Sequence, residues 1–170
     1  MNDLLDLGKP IQPSQFSEAR VREIVAASLR YWVEAHPRQS QQVKIENKLL
    51  SDDPVLVDAS KIQQVIINLI DNAVQHSPKD EKILLQIGQA GENDLMIKII
   101  DRGEGLQAQD QHRIYEPFYT TRKSGTGLGL SLCKHIIESH GGRIEIINDK
   151  DAPGCTAQFT LPDYHSKDHI

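Results

Sequence analysis

The chain is poor in several things that common architectures require. Only two of its 170 residues are cysteine, Cys133 and Cys155. They fall in a helical and a strand pattern, without the close pairing of metal or redox motifs, and both are expected as small core residues. No apolar run approaches the roughly 20 residues of a membrane span. The start also lacks the basic, apolar and small-residue order of a signal peptide. The expected compartment is therefore the cytoplasm, with inner-membrane anchoring of a longer protein left open. Positive charge is in deficit, 19 Lys and Arg against 24 Asp and Glu for a net charge of −5, which argues against a general nucleic-acid surface. No glycine-rich loop is followed by the Lys-Ser or Lys-Thr of a P-loop, and Leu130 stands where a dinucleotide fingerprint would need its third glycine.

What remains suits one domain with a real core. Met1 to Leu7 has apolar residues at helical spacing and is stopped by Gly8 and Pro10, as at the end of a helix. Val21, Ile24, Val25, Leu29, Trp32 and Val33 predict a helix from Ser17 to about His36, ended by Pro37. Val43 to Glu46 and Pro54 to Val57 read as strands. Asp58 can cap a helix from Ala59 to about His76, stopped by Ser77-Pro78. Lys82 to Gln89 and Asp94 to Asp101 read as a hairpin about Ala90 to Asn93. Residues 102–126 read as a long mobile loop, lid-like, rather than a packed element. Leu128 to His140 predicts a helix with Leu130, Cys133, Ile136 and Ile137 inward and Gly141-Gly142 as its stop. Arg143 to Asn148 and Cys155 to Leu161 form a last hairpin, and the tail after Pro162 is polar and expected to be loose. The sum is α/β (α+β), a two-layer sandwich with a mixed sheet and three main helices.

Four segments carry polar chemistry. Gln64, Asn68 and Asn72 recur every fourth residue beside an apolar face of Val65, Ile66, Leu69, Ile70 and Ala73. Asparagine is a mediocre helix former, so two of them in mid-helix suggest carbonyl oxygens for a hydrated cation such as Mg²⁺, which keeps several waters and bridges to phosphates; the alternative is a solvated helix face. Asp101 at a strand exit, with Gly103 and Gly105, fits adenine: the carboxylate accepts the exocyclic amino hydrogen, and the glycines let backbone approach the ring. An Asp-rich turn is the bland alternative. Phe118 and Tyr119 in a polar loop would anchor a closed lid, and Arg122 and Lys123 would bring charge to a triphosphate. Gly125, Thr126, Gly127, Leu128, Gly129 and Leu130 open a helix whose free N–H groups make a ready phosphate site.

In order and spacing, Asn68 to Ala73, Asp101 to Gly105, Glu116 to Arg122 and Gly125 to Leu130 resemble the N, G1, F and G2 boxes of the ATP-binding catalytic domain of sensor histidine kinases. The resemblance covers nearly the whole chain. It implies a Bergerat-type nucleotide fold, shared with gyrase, Hsp90 and mismatch-repair ATPases, with ATP and Mg²⁺ as cofactors. It further implies Asn72 as magnesium ligand, Asn68 beside the phosphates, Arg122 as the phosphate-facing lid cation, and Gly154 and Thr156 near adenine. Kinases of this type often carry a basic residue where Gln75 stands. The Thr-Thr-Arg ending is similar to the nitrogen-regulation branch. Residues 1–13 resemble the end of a dimerisation helix with its linker, leaving 14–162 as the catalytic domain, with a lid at about 102–126, and 163–170 as the tail.

None of the seven histidines sits in the family's phosphoacceptor context, and His165 and His169, four apart in the tail, are not read as a metal pair. The resemblance therefore implies a domain that donates the γ-phosphate of ATP to a histidine on the dimerisation domain of the same protein, homodimeric in full length, and that works with a response regulator, of the sigma-54 activator type by branch. The rival readings are an anti-sigma-type serine kinase and a non-catalytic ATP-sensing module.

Overall fold

A computed structural model describes residues 3–49, 52–123 and 125–162; the tail beyond 162, with His165 and His169, and the first two residues lie outside these. The elements in chain order are α1 (Asp3–Leu7), β1 (Ser17–Arg20), α2 (Val21–Ala35), β2 (Val43–Asn47), β3 (Pro54–Val57), α3 (Ala59–His76), β4 (Ile83–Ala90), β5 (Asp94–Ile100), α4 (Gly129–Ser139), β6 (Ile144–Asn148) and β7 (Cys155–Pro162). Five strands form one sheet in the order β2-β4-β5-β7-β6. The β2–β4 pair is parallel and the other pairs are antiparallel, so the sheet is mixed. The helices lie side by side, with α3 between α2 and α4 and packed on β4 and β5, while α4 covers β6 and β7. One cluster joins the two layers, with Val65, Ile66, Leu69 and Ile70 of α3 meeting Leu85, Ile87, Ile97, Ile99 and Phe159 of the sheet. The β5 alternation and the helical stripe of α3 produce this interface, because each element turns one apolar face to the other. Among the described residues, no helix is long and apolar enough to cross a membrane.

The chain enters the domain differently from the sequence expectation. Ser17 to Arg20 is not the first turn of α2 but a strand, paired antiparallel with β3 from Ser17 opposite Val57 to Arg20 opposite Pro54. The helical apolar period begins only at Val21, and the pairing satisfies backbone groups of β3 that would otherwise form an open edge. Upstream, α1 packs on α4, Leu7 and Ile11 rest on the core, and Asp6 lies 3.6 Å from Lys61.

The ends of α3 and α4 follow their signals. Asp58 Oδ1 accepts from the N–H groups of Ser60 and Lys61 at 3.1 and 3.2 Å, a cap of about 1 kcal/mol. At the other end of the helical layer, Gly141 adopts φ 76°, and Gly141 and Gly142 donate to the carbonyls of Glu138 and Ile137, closing α4 with a Schellman motif. His140 is buried there. Its Nδ1 lies 2.7 Å from the Ile136 carbonyl, its Nε2 accepts from Asp58 N–H at 3.0 Å, and Phe16 stacks on its ring at 4.3 Å. Nδ1 is thus the protonated nitrogen of a neutral ring, and burial holds the pKa below its ordinary value. Leu130 departs from expectation: Leu132 takes the buried position in α4, and Leu130 is half-buried.

Candidate functional site

The Asn stripe of α3 faces a cavity of about 970 Å³ whose walls come from α3, the exit of β5, the segment 102–127 and the start of α4. Asn68 and Asn72 both line it. Gln64, a turn earlier, is buried and does not line the cavity. Asn68 Nδ2 is buried and has no hydrogen-bond partner among the described residues. A buried, unmatched amide costs about 1–3 kcal/mol, so its presence on the cavity wall points to a ligand that supplies the missing acceptor. Asn72 Oδ1 accepts from Arg122 Nη2 at 2.6 Å. The proposed metal-binding oxygen and the lid cation, 50 residues apart, are therefore joined in this structure.

At the opposite end, Asp101 N–H donates to the Cys155 carbonyl. Its side chain is fixed in turn, because Oδ1 accepts from Gly103 N–H at 2.9 Å and Cys155 N–H at 3.0 Å. No described group bonds Oδ2, which leaves an acceptor for a base amino group. The glycines serve this corner in ways the sequence did not disclose. A Cβ on Gly103 would lie 2.5 Å from the His76 carbonyl, and one on Gly154 would lie 2.1 Å from that of Asp101. Gly103 thus meets the end of α3, and Gly154 meets the backbone of Asp101 itself. Gly105, with φ 82°, opens the turn in which Asn148 clamps Leu106: Leu106 N–H donates to Oδ1 at 2.7 Å, and Nδ2 donates to the Leu106 carbonyl at 2.9 Å. The Cys155 thiol, expected in the core, lines the cavity, and burial together with nearby Asp101 pushes its pKa up to about 11. Thr156 does not line the cavity; Cys155 and Ala157 do, so strand alternation turns the threonine to the other face.

The lid is more ordered by contacts than its composition suggested. Residues 102–123 contain no helix or strand, yet Ile114 and Asp110 are buried. Tyr119 ties the lid to itself rather than to the body of the domain: its hydroxyl donates to Asp110 Oδ1, with Arg113 4.3 Å above its ring, and both partners are lid residues. Phe118 is not an anchor here. It is 65% exposed and adopts φ 68°, because its N–H turns to the Gly127 carbonyl at 2.9 Å in a crossing so close that a Cβ on Gly127 would lie 2.3 Å from the Phe118 carbonyl carbon. Gly125, Thr126, Gly127, Gly129, Leu130 and Arg122 reach the cavity wall. Lys123 is exposed and Leu128 is buried at the helix cap, and neither lines the cavity. The first N–H groups of α4, which a helix cannot satisfy internally, lie at this mouth.

An apolar part of the wall was not singled out in the sequence as ligand-facing: Leu69, Ala73, Ile99, Leu106, Ile114 and Ile146. Leu69, Ala73 and Ile99 read as core because they share the helical and strand periods of core residues. The cavity thus combines an apolar slot ending at one carboxylate with a mouth of amides, glycine backbone and a guanidinium. That order matches a nucleotide, base inward and phosphates at the helix end.

The sequence matches the family described as histidine kinase-, DNA gyrase B- and HSP90-like ATPase over residues 57–165. It is 35% identical over 153 residues to the sensor protein KdpD of Clostridium acetobutylicum, covering 85% of this chain and 16% of that protein. It is 33% identical over 163 residues to the signal transduction histidine-protein kinase AtoS of Escherichia coli, covering 95% of this chain and 26% of that protein. The chain therefore spans about a sixth to a quarter of these relatives. The nucleotide-free catalytic domain of histidine kinase ThkA superposes with a TM-score of 0.74 at 27% identity, covering 87% of this chain and 95% of that one.

Proposed function

This chain belongs to the histidine kinase-, DNA gyrase B- and HSP90-like ATPase family, and from that premise we propose that it binds Mg-ATP and presents the γ-phosphate to a histidine on a separate dimerisation domain. The observation that carries this reading is the pair of polar ends of one cavity, Asp101 with a free carboxylate oxygen and Asn68 with an unmatched buried amide. Asp101 takes the adenine amino group, and the slot between Leu69, Ala73 and Ile99 takes the ring. Asn68 lies along the phosphates, Asn72 offers its carbonyl oxygen to magnesium, and Arg122 with the backbone from Gly125 to Leu130 holds the phosphate chain. Bound magnesium would neutralise phosphate charge. In transfer, the γ-phosphorus forms a bond to the partner imidazole nitrogen as its bond to the bridging oxygen breaks, and ADP leaves with that electron pair. Such chemistry asks a protein mainly for positioning and charge stabilisation, which suits a chain without its own acceptor. Residues 1–13 are the end of a dimerisation helix and linker, 14–162 the catalytic domain, and 163–170 a tail. The partners are the dimerisation domain of a homodimeric full-length protein and a response regulator of the sigma-54 activator type, in the cytoplasm.

Calorimetric titration with a non-hydrolysable ATP analogue, with and without Mg²⁺, tests the site. Magnesium-enhanced, adenine-selective binding is expected, and Asp101→Asn, which turns an amide N–H₂ toward the base amino group, weakens it by about a hundredfold, the size of a buried polar mismatch. Phosphate appearing on the histidine of an added dimerisation domain supports the kinase, while phosphate on a serine, or binding without transfer, overturns it.

A further inference from the structure

The nucleotide cavity has four carboxylates in its wall, Asp71, Asp101, Glu104 and Asp110. Asp101 is fixed at the base end, Asp110 is bonded to Tyr119, and Glu104 belongs to the turn after Asp101. Asp71 is different. It is the only acidic residue of α3, it precedes Asn72 directly, and it stands three residues after Asn68, on the same side of the helix. Its Oδ1 accepts from Trp32 Nε1 at 2.7 Å. His36, stacked on Trp32 at 4.7 Å, places Nε2 4.0 Å from that same oxygen. Trp32 is itself fully buried, so its ring cannot swing away, and the carboxylate is held by one oxygen while its side chain remains 34% exposed and its residue lines the cavity. A carboxylate turned toward a triphosphate would only repel it. The same carboxylate beside a divalent cation is an asset, since magnesium sites commonly combine one or two carboxylates with substrate phosphates and ordered waters, and the groups that orient those waters tune affinity.

We propose that Asp71, pinned through Oδ1 by the Trp32 indole, is a magnesium-positioning residue whose Oδ2 accepts hydrogen bonds from water on the ion held at Asn72. This rests on the Mg-ATP reading above and adds a residue to it. It also gives the pairing of Trp32 with Asp71 a purpose that core packing alone does not require.

The test is a magnesium titration at a fixed, saturating concentration of non-hydrolysable ATP analogue, followed by emission of Trp32, the only tryptophan of the chain, and by calorimetry. Asp71→Asn keeps a carbonyl oxygen for the indole N–H and removes the charge. It is expected to weaken the apparent magnesium affinity by about tenfold, within the range for lost outer-sphere partners. Without magnesium, it should bind the analogue as well as or better than the natural chain, because a like charge has gone. The two opposite signs separate positioning from damage. Trp32→Phe, read by calorimetry because it removes the fluorophore, keeps a ring in the core and loses the indole donor; a magnesium shift of about threefold, a partial loss of that outer-sphere effect, supports the proposal should Asp71→Asn melt early. A magnesium midpoint unchanged to within about twofold, well short of that effect, overturns it and leaves Asp71 as the acceptor of a core tryptophan. If the natural chain binds no analogue at all, the Mg-ATP reading itself fails; if it binds with full magnesium enhancement and the variants do not differ from it, only the role of Asp71 fails.

Discussion

Removing the Arg122 side chain is expected to push the affinities for ATP and ADP in opposite directions. Arg122 Nη2 donates to Asn72 Oδ1 at 2.6 Å, so the oxygen assigned to magnesium is held by a lid cation whose positive charge opposes a metal there until the bond is given up. A charge-assisted bond of this kind contributes about 1.5–3 kcal/mol when sheltered, and the half-exposed position of Arg122 reduces that to about 1 kcal/mol. With Mg-ADP, which has no γ-phosphate for the guanidinium, Arg122→Ala removes a cost and nothing else, and binding should tighten about fivefold at 1 kcal/mol. With a Mg-bound ATP analogue the guanidinium exchanges Asn72 for phosphate, a gain of about 1.5–3 kcal/mol. The variant then weakens binding by about 1 kcal/mol net, again about fivefold. The ratio of the two affinities, read by calorimetry in the same buffer, should therefore fall by about 25-fold, the product of the two steps. Equal weakening of both nucleotides would refute the reasoning, since it would mean that the Asn72 contact costs the bound state nothing.

Two further outcomes follow from the frame around the cavity. His140 is held neutral, with its folded pKa below the ordinary 6.5, so the unfolded chain takes up its proton first. Its stabilising contribution is fully present above about pH 6.5 and is lost as pH falls through the lower folded value. Thermal melts from pH 7.5 downward should show Tm falling with acid, and His140→Gln, less stable at pH 7.5, should show a shallower acid slope; parallel slopes would exclude His140 as the cause. Gly154→Ala must fit a Cβ 2.1 Å from the Asp101 carbonyl at φ 120°, which costs about 3 kcal/mol by backbone clash and strain and lowers Tm by about 6–12 °C in a domain this size. Gly88→Ala in β4, where a Cβ meets nothing within 4 Å, should leave Tm nearly unchanged, and a comparable fall in both would refute the steric account.

The parts of the site legible in the sequence were those where a residue works against its local role. Asparagines in mid-helix, a carboxylate at a strand exit and glycines at a helix start each break a local preference, and each was found on the cavity wall. The apolar slot was illegible for the converse reason: Leu69 and Ile99 obey the same periods as Leu85 and Ile97, and only the third dimension separates a residue facing ligand from one facing core. The same limit hid β1. Nothing in Ser17 to Arg20 alone distinguishes a helical first turn from a strand whose partner, β3, lies 34 or more residues onward.

The two glycines of the Asp101 box carry a sharper lesson about motif reading. Both line the cavity, where ligand approach is expected of them, and each has a second reason to be glycine: Gly103 is required by the His76 carbonyl and Gly105 by a left-handed turn that Asn148 clamps. These contacts join the base end of the cavity to the last residue of α3, the helix whose earlier turns carry Asn68 and Asn72. On the Mg-ATP proposal, the adenine and phosphate ends would thus both be referred to α3, and the lid reaches that helix through Arg122 at Asn72. A lid attached at the amide proposed to hold the metal, rather than at the base, would be free to respond to phosphate number and metal while adenine stayed seated. That arrangement is why the Arg122 prediction separates ATP from ADP, and why no equivalent separation is expected from Asp101→Asn, which should weaken both nucleotides alike.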